Sequence, residues 1–411
     1  MSLAACGHEV AVCVDESCPS GHACQEGVCA PVSLPTSTGA LGQYTSADVH
    51  PDGRLLIATY DATYRNLVVA SRSSEGVQVT RVIDGWNVLE HGIQDRDRGQ
   101  WSSIHVAADG DAHVTWYDAD AGNLRYTWFE DADLDAAFEV EIVDGAGVDD
   151  RGTHGSIAVG VDGVVHAAYR DESARRLRYA RRETSGVWSS EIVPGCASEP
   201  DCPDSVEDYG EYASLVLIGG LPRVAFYDRS RGDLKFGQRD ADGTWTVSTL
   251  DGRDVVRDID TGDVGLFASA AVDAKQRLGV AYYDATHGAL RYLFAGGAAP
   301  VSVIVDDGVY TDAQTGAARQ HIVGQHASLT FDSRDVAVIV YLDAGSLGLK
   351  RARLMGDQVM DVIAMPGLRP GAYVNARMDP DGRLVGAYGA WPETDPGGSA
   401  LAIFVDDETL P

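Results

Sequence analysis

Seven times along the chain a glycine is followed two residues later by an aromatic or imidazole ring, and after two more by a small polar residue. The rings are Tyr44, Trp101, His154, Tyr212, Phe267, His326 and Tyr373. In six copies an aspartate then closes the second apolar stretch: Asp61, Asp118, Asp171, Asp228, Asp284 and Asp343. The seventh copy reads Tyr388-Gly389-Ala390-Trp391 there and has no aspartate. Aromatic faces beside carboxylates let a protein stack on a sugar and hydrogen-bond its hydroxyls, or cage a cation, so both sets are candidate ligand-binding residues. They also have a structural reading, since an aspartate at a tight turn accepts backbone N–H groups and a ring can wedge between neighbouring repeats. Differences between copies therefore weigh more than the shared pattern, above all the two histidines and the aspartate lost from the seventh copy.

Catalytic signatures are weaker. Sialidase-like hydrolysis would require an arginine cluster, a Tyr/Glu nucleophile pair and an acid. Arg96, Arg98, Arg151 and Arg319 fall near the same loops but hold no repeated position. No nucleophile elbow, P-loop or HExxH occurs, and no catalytic residue is assigned. Alternating carboxylates at Asp95 and Asp97, and at Asp258, Asp260 and Asp263, offer hard oxygens to calcium. Neither run completes an EF-hand loop, and Arg96 and Arg98 repel a cation, so no metal ligands are assigned.

The elements that must position these residues are strands. After each glycine motif comes an apolar stretch of period two, a turn, a second such stretch ending in Tyr-Asp or its equivalent, a short turn, and a third. A fourth stretch follows, marked by an aromatic residue and a Val-Asp ending, as over 138–144 and 245–251. The motif glycines, Gly42, Gly99, Gly152, Gly210, Gly265, Gly324 and Gly371, stand 57, 53, 58, 55, 59 and 47 residues apart, a spacing suited to a four-stranded sheet with one variable loop. Long helical patterns are missing, which excludes a parallel α/β sheet. The expected fold is all-β: a seven-bladed propeller of four-stranded antiparallel blades, in which radial packing covers both sheet faces. The last copy lacks a fourth stretch, so residues 31–36 are expected to join the sheet containing 401–405 and close the ring. The propeller then spans 31–411, after a Cys-rich segment over 1–30. Its loops over 86–100, 195–209, 252–263 and 306–323 differ in length while the strands stay regular, which makes their face the expected binding face.

Cysteine placement bears on compartment. Cys13, Cys18, Cys24 and Cys29 form a local C-x4-C-x5-C-x4-C pattern poor in apolar residues, and Cys196 and Cys202 flank a loop. Three disulfides within these two groups are expected, and hence an oxidising, extracytoplasmic setting. Cys6 is left over, as a free thiol, an intermolecular partner or a modification site. The formal charge of −30, from 32 basic and 62 acidic residues, argues against nucleic acid and anionic membrane surfaces as partners. No run is long and apolar enough for a membrane span. A monomer with a glycan or protein ligand is the expected state.

Three resemblances add to this reading. Residues 152–180, 99–126 and 265–292 resemble the blades of a largely uncharacterised set of bacterial and archaeal surface propellers, a likeness covering about 42–405. More distantly the architecture is similar to sialidase-type and fucose-lectin-type propellers. These imply an extracytoplasmic ligand-binding surface and no particular reaction; a glycan-processing hydrolase on the same face is the alternative function. Leu3-Ala4-Ala5-Cys6-Gly7 resembles the lipobox of bacterial lipoproteins, which implies lipidation at Cys6 and a surface or outer-membrane location, with Met1-Ser2-Leu3 standing in for the end of a leader. The cysteine pattern after it is similar to short Cys-rich segments at the head of myxobacterial surface proteins.

Overall fold

The structure, a computed structural model, describes residues 22–25, 28–31 and 39–406, except 74, 77, 90–91, 96, 146, 148, 196–206, 255–258, 298–299, 367, 369–370 and 392–398. Seven sheets of sequential antiparallel strands are arranged as a ring. Blade one consists of Leu41–Val49, Leu55–Asp61, Asn66–Arg72 and Gln78–Asp84. The inner strands of blades two to seven are Arg98–Val106, Arg151–Val159, Tyr209–Ile218, Val264–Val272, Val323–Phe331 and Gly371–Met378. Neighbouring inner strands touch all the way round, with that of blade seven against that of blade one.

Blade seven has three strands among the described residues, the outer two being Leu384–Ala390 and Ala400–Asp406. Of the segment expected to supply the fourth, Pro31 pairs with His22 in a short hairpin and 32–36 lie outside the described residues. That hairpin sets Cys24 directly opposite Cys29. Cys6, Cys13, Cys18, Cys196 and Cys202 lie outside the described residues.

The second strands depart from the expected alternation. Leu55–Asp61, Ala112–Asp118 and Val165–Asp171 are buried at every residue, because a strand in mid-blade is covered on both faces by adjacent blades. The core accordingly lies between blades: Leu56, Leu67 and Val69 of blade one pack with Ile104, Val114 and Trp116 of blade two.

Two repeated contacts fix one blade against the next. In blades one to six the motif serine accepts the N–H that follows the equivalent residue of the next blade: Ser46 Oγ from Ile104 at 3.1 Å, Ser103 from Ile157 at 3.2 Å and Ser156 from Leu215 at 3.0 Å. Ser214, Ser269 and Ser328 continue the series with Ala270, Leu329 and Ala376, at 2.9, 3.0 and 2.9 Å. Further out, the aspartate ending a fourth strand accepts from the next blade's second and third strands. Asp144 takes the Tyr169 hydroxyl at 2.5 Å and Arg178 Nε at 2.8 Å. Asp306 takes Tyr341 at 2.7 Å and Lys350 at 3.0 Å. Blade three ends in Val193-Pro194 with no such aspartate, and the next blade carries Phe226, without a hydroxyl, at the corresponding position.

Candidate functional site

The glycine motif, expected ahead of the inner strand, lies within it. Each inner strand is bulged there, and all seven ring residues take φ between 49° and 55°, the left-handed region that a bulky residue rarely enters. The preceding glycine has its own reason: Gly99 has φ +113°, and a Cβ on it would stand 2.6 Å from Leu67 Cα of the previous blade. The third-strand leucine and the motif glycine thus record one close approach between blades.

These bulges aim the seven rings at the central axis, where they form a closed collar. Centroid separations run 4.7 Å (Tyr44–Trp101), 3.8 Å (Trp101–His154), 5.0 Å (His154–Tyr212) and 4.7 Å (Tyr212–Phe267). The circle is completed by 4.4 Å (Phe267–His326), 5.1 Å (His326–Tyr373) and 5.0 Å (Tyr373–Tyr44), so that each ring touches the next. Together they line a cup of ≈ 160 Å³. His154 Nδ1 accepts the Tyr212 N–H at 3.0 Å, which places the proton of its neutral ring on Nε2. Burial, helped by the charges of Arg170 and Arg229, pushes the His154 imidazole down to about 3, and burial pushes that of His326 down to about 4. Both are therefore uncharged around neutral pH.

The aspartates do not join this cup. Asp61, Asp118, Asp171, Asp228, Asp284 and Asp343 end second strands on the same face, but they are at most 5% exposed. Each caps the turn that follows, as Asp61 Oδ1 does for Thr63 N–H at 2.9 Å and Asp171 Oδ1 for Ala174 N–H at 2.8 Å. Most also hold a cation: Arg125 Nε stands 2.7 Å from Asp118, Arg291 Nε 2.6 Å from Asp284, and Lys350 Nζ 3.1 Å from Asp343. The structure thus puts the rings on the channel and the aspartates inside the blades.

A second set of carboxylates lies nearer the rim. Tyr60, Tyr117 and Tyr227, each just before one of those aspartates, donate to Asp97, Asp150 and Asp263 of the next blade at 2.9, 2.6 and 2.8 Å. In blade three Arg170 replaces the tyrosine and reaches Asp208 at 2.8 Å and Glu172 at 2.9 Å. Glu172 also accepts the Thr153 hydroxyl at 2.6 Å. Glu211, next to Tyr212 and 3.3 Å from Arg229, has its carboxyl raised by burial against the opposing pull of Arg229 and Arg170. This Arg170, Glu172, Glu211 and Arg229 group, flanking His154 and Tyr212, went unnoticed in the sequence. Its one signal was Arg170-Asp171 where the other blades read an uncharged residue before the aspartate.

Three of the variable loops carry hairpins: Trp86–Leu89 with Gly92–Asp95, Arg253–Asp254 with Ile259–Asp260, and Val309–Thr311 with Ala318–Gln320. They lead into the inner strands of blades two, five and six and so share the collar face. Residues 196–206 of the fourth loop, together with Arg96 and Asp258, lie outside the described residues. Asp97 and Asp263 accept tyrosine hydroxyls, and among the described residues no three His, Cys, Asp or Glu side chains converge as a metal ion would need. No described helix is long and apolar enough to cross a membrane.

The chain is a seven-bladed β-propeller, and its likenesses are to other propellers. No family model and no curated protein matches it in sequence. Among solved structures it is similar to the BP39L lectin from Burkholderia pseudomallei, with TM-score 0.56 and 15% identity over 88% of this chain and 99% of the lectin. It is also similar to the polysaccharide lyase Uly1, with TM-score 0.54 and 11% identity over 90% of each chain. A fungal alcohol oxidase of the AA5 family, in complex with copper, gives 0.53 and 12% identity over 91% of this chain and 76% of the oxidase. At these identities the likeness is one of fold.

Proposed function

We propose that the protein is an exported surface propeller, lipid-anchored at Cys6, that binds a neutral glycan in the aromatic cup. The closed collar carries this reading. A non-glycine residue in the left-handed region costs about 1–2 kcal/mol, and such strain concentrates at ligand clamps. Here it recurs at seven equivalent positions, and the result is a cup of seven rings, with Glu211 adjoining Tyr212 and Glu172 bonded to Thr153, groups suited to stacking on sugar rings and hydrogen-bonding hydroxyls. A charge of −30 favours an uncharged glycan over a polyanionic one. The fold is shared with a lectin, which is compatible with this role.

A glycan array followed by calorimetry on the best ligand tests the proposal. Trp101→Ala and Tyr212→Ala should each weaken binding by about tenfold or more, as loss of a central aromatic contact does. Large destabilisation in both variants with unchanged affinity would retire the cup and leave the hairpin loops as the binding surface. Glu211, protonatable and beside the collar, supports a second reading as a glycan hydrolase. Product release that disappears in Glu211→Gln would establish it, and saturable binding without turnover would eliminate it. Mass spectrometry of the protein from its native membrane, finding an unmodified Cys6, would remove the anchor.

A further inference from the structure

Beyond the collar the channel widens into a second cavity of ≈ 560 Å³, within the range of small-molecule sites. Its wall includes Ser46 and the five equivalent serines of blades two to six. Having accepted an inter-blade N–H, each hydroxyl keeps its own O–H for donation. Two residues further along each inner strand the lining turns asymmetric. Blades three to six present Ala158, Val216, Ala271 and Thr330, whereas blades seven, one and two present Arg377, Asp48 and His105 side by side.

Asp48 is fully engaged within this trio. It takes Arg377 Nε at 3.3 Å and the Val106 N–H at 2.9 Å, and lies 3.3 Å from His105 Nδ1. Burial opposes its charge, but the His105 hydrogen bond and the Arg377 charge outweigh burial and hold the carboxyl at about 2, so it stays ionised. Arg377 donates Nη1 to the Ala376 carbonyl at 2.9 Å. Its Nη2, and Nε2 of His105, have no partner among the described residues, and the two side chains are about one-third exposed, at 31% and 33%. The ion pair joins blade seven to blade one, but that task uses only Nε of the arginine. It also does not explain why the facing wall is kept small.

We infer that this lower chamber is a second binding site, for a small hydroxylated monocarboxylate of the aldonic-acid type, with Arg377 as the carboxylate anchor. One free guanidinium nitrogen beside an ionised aspartate suits a single negative charge, whereas a dianionic phosphate would meet Asp48 at close range. Ser103, Ser156, Ser214 and Ser269, the partly exposed members of the serine set, pair with the ligand's hydroxyls, and Ala158, Val216 and Ala271 cover its carbon chain. The site does not depend on what the collar cup binds.

Calorimetry on the full chain with gluconate, glucose and inorganic phosphate tests this. Gluconate should saturate at one per chain, and glucose and phosphate should bind at least roughly tenfold more weakly, the scale of one charge-assisted hydrogen bond. Arg377→Ala should weaken gluconate by a similar factor. Because that change also touches ring closure, Ala271→Trp fills the chamber from the opposite wall without disturbing the ion pair, and it should abolish binding in a folded protein. No gluconate binding at millimolar concentration, equal binding of phosphate, or binding untouched by Ala271→Trp would each overturn the assignment.

Discussion

His154 and His326 occupy positions where other blades carry Tyr, Trp or Phe, and they bring a pH dependence that those rings lack. A histidine whose folded value lies below its unfolded value of about 6.5 is neutral in the fold, so the unfolded chain takes up the proton first. The stability it contributes is complete above about 6.5 and is lost as pH falls toward the folded value, at up to about 1.4 kcal/mol per pH unit per group. His113 and His166, pushed down to about 4 by burial, act in the same direction. Thermal melts should therefore show Tm falling from about pH 6.5 downward, and His154→Phe/His326→Phe should make that slope shallower. An unaltered slope would show that the collar histidines titrate normally. The motif glycine is the other residue on which the collar rests. Gly99→Ala would combine an unfavourable φ with a Cβ 2.6 Å from Leu67 Cα. It should cost about 1–3 kcal/mol in denaturant unfolding, and a neutral result would mean that blades one and two separate easily.

At the scale of the element, the inner strand is held by hydrogen bonds to the next blade as well as within its own. Ser328→Ala removes the acceptor of the Ala376 N–H in a place where Ser328 is 2% exposed and Ala376 fully buried. Leaving that amide unpaired should cost about 1–3 kcal/mol in chemical denaturation, and a smaller loss would indicate that water takes over the bond. The strands were legible in the sequence because turn residues and apolar stretches repeat with the blade, so the glycine motif alone counted seven blades. The collar positions were legible for the same reason. The burial of the aspartates was not, since a turn-capping carboxylate and a ligand-binding one have the same spacing until their partners are known. The bulge was hidden too: Tyr44 takes a left-handed φ of 49° within a register shift of the inner strand, and no local propensity records that. The Arg170 and Glu211 group and the Arg377, Asp48 and His105 trio were invisible because their members come from two or three blades apiece.

For the whole molecule, the question is how a ring of seven similar blades closes, and the junction of blades seven and one differs from the other six. At those six a serine hydroxyl accepts the next inner-strand N–H. Here the motif residue is Asn375, whose Oδ1 is buried with no hydrogen-bond partner among the described residues, and the equivalent amide is that of Ala47. Blade one also has Thr59 and Val68 where blade three has Tyr169 and Arg178, so the aspartate-centred contact seen at other junctions cannot form here. Arg377 and Asp48 provide an ion pair at this junction in their place. A ring is expected to open at its weakest junction, and contacts formed only after closure act mainly on the unfolding rate. Asn375→Ser installs the missing acceptor in the geometry that six other blades already use, and it removes an unpaired buried oxygen. It should raise stability by about 0.5–1.5 kcal/mol, expressed chiefly as slower unfolding in a denaturant jump. Faster unfolding, or an unchanged rate, would place the opening of the ring at another junction.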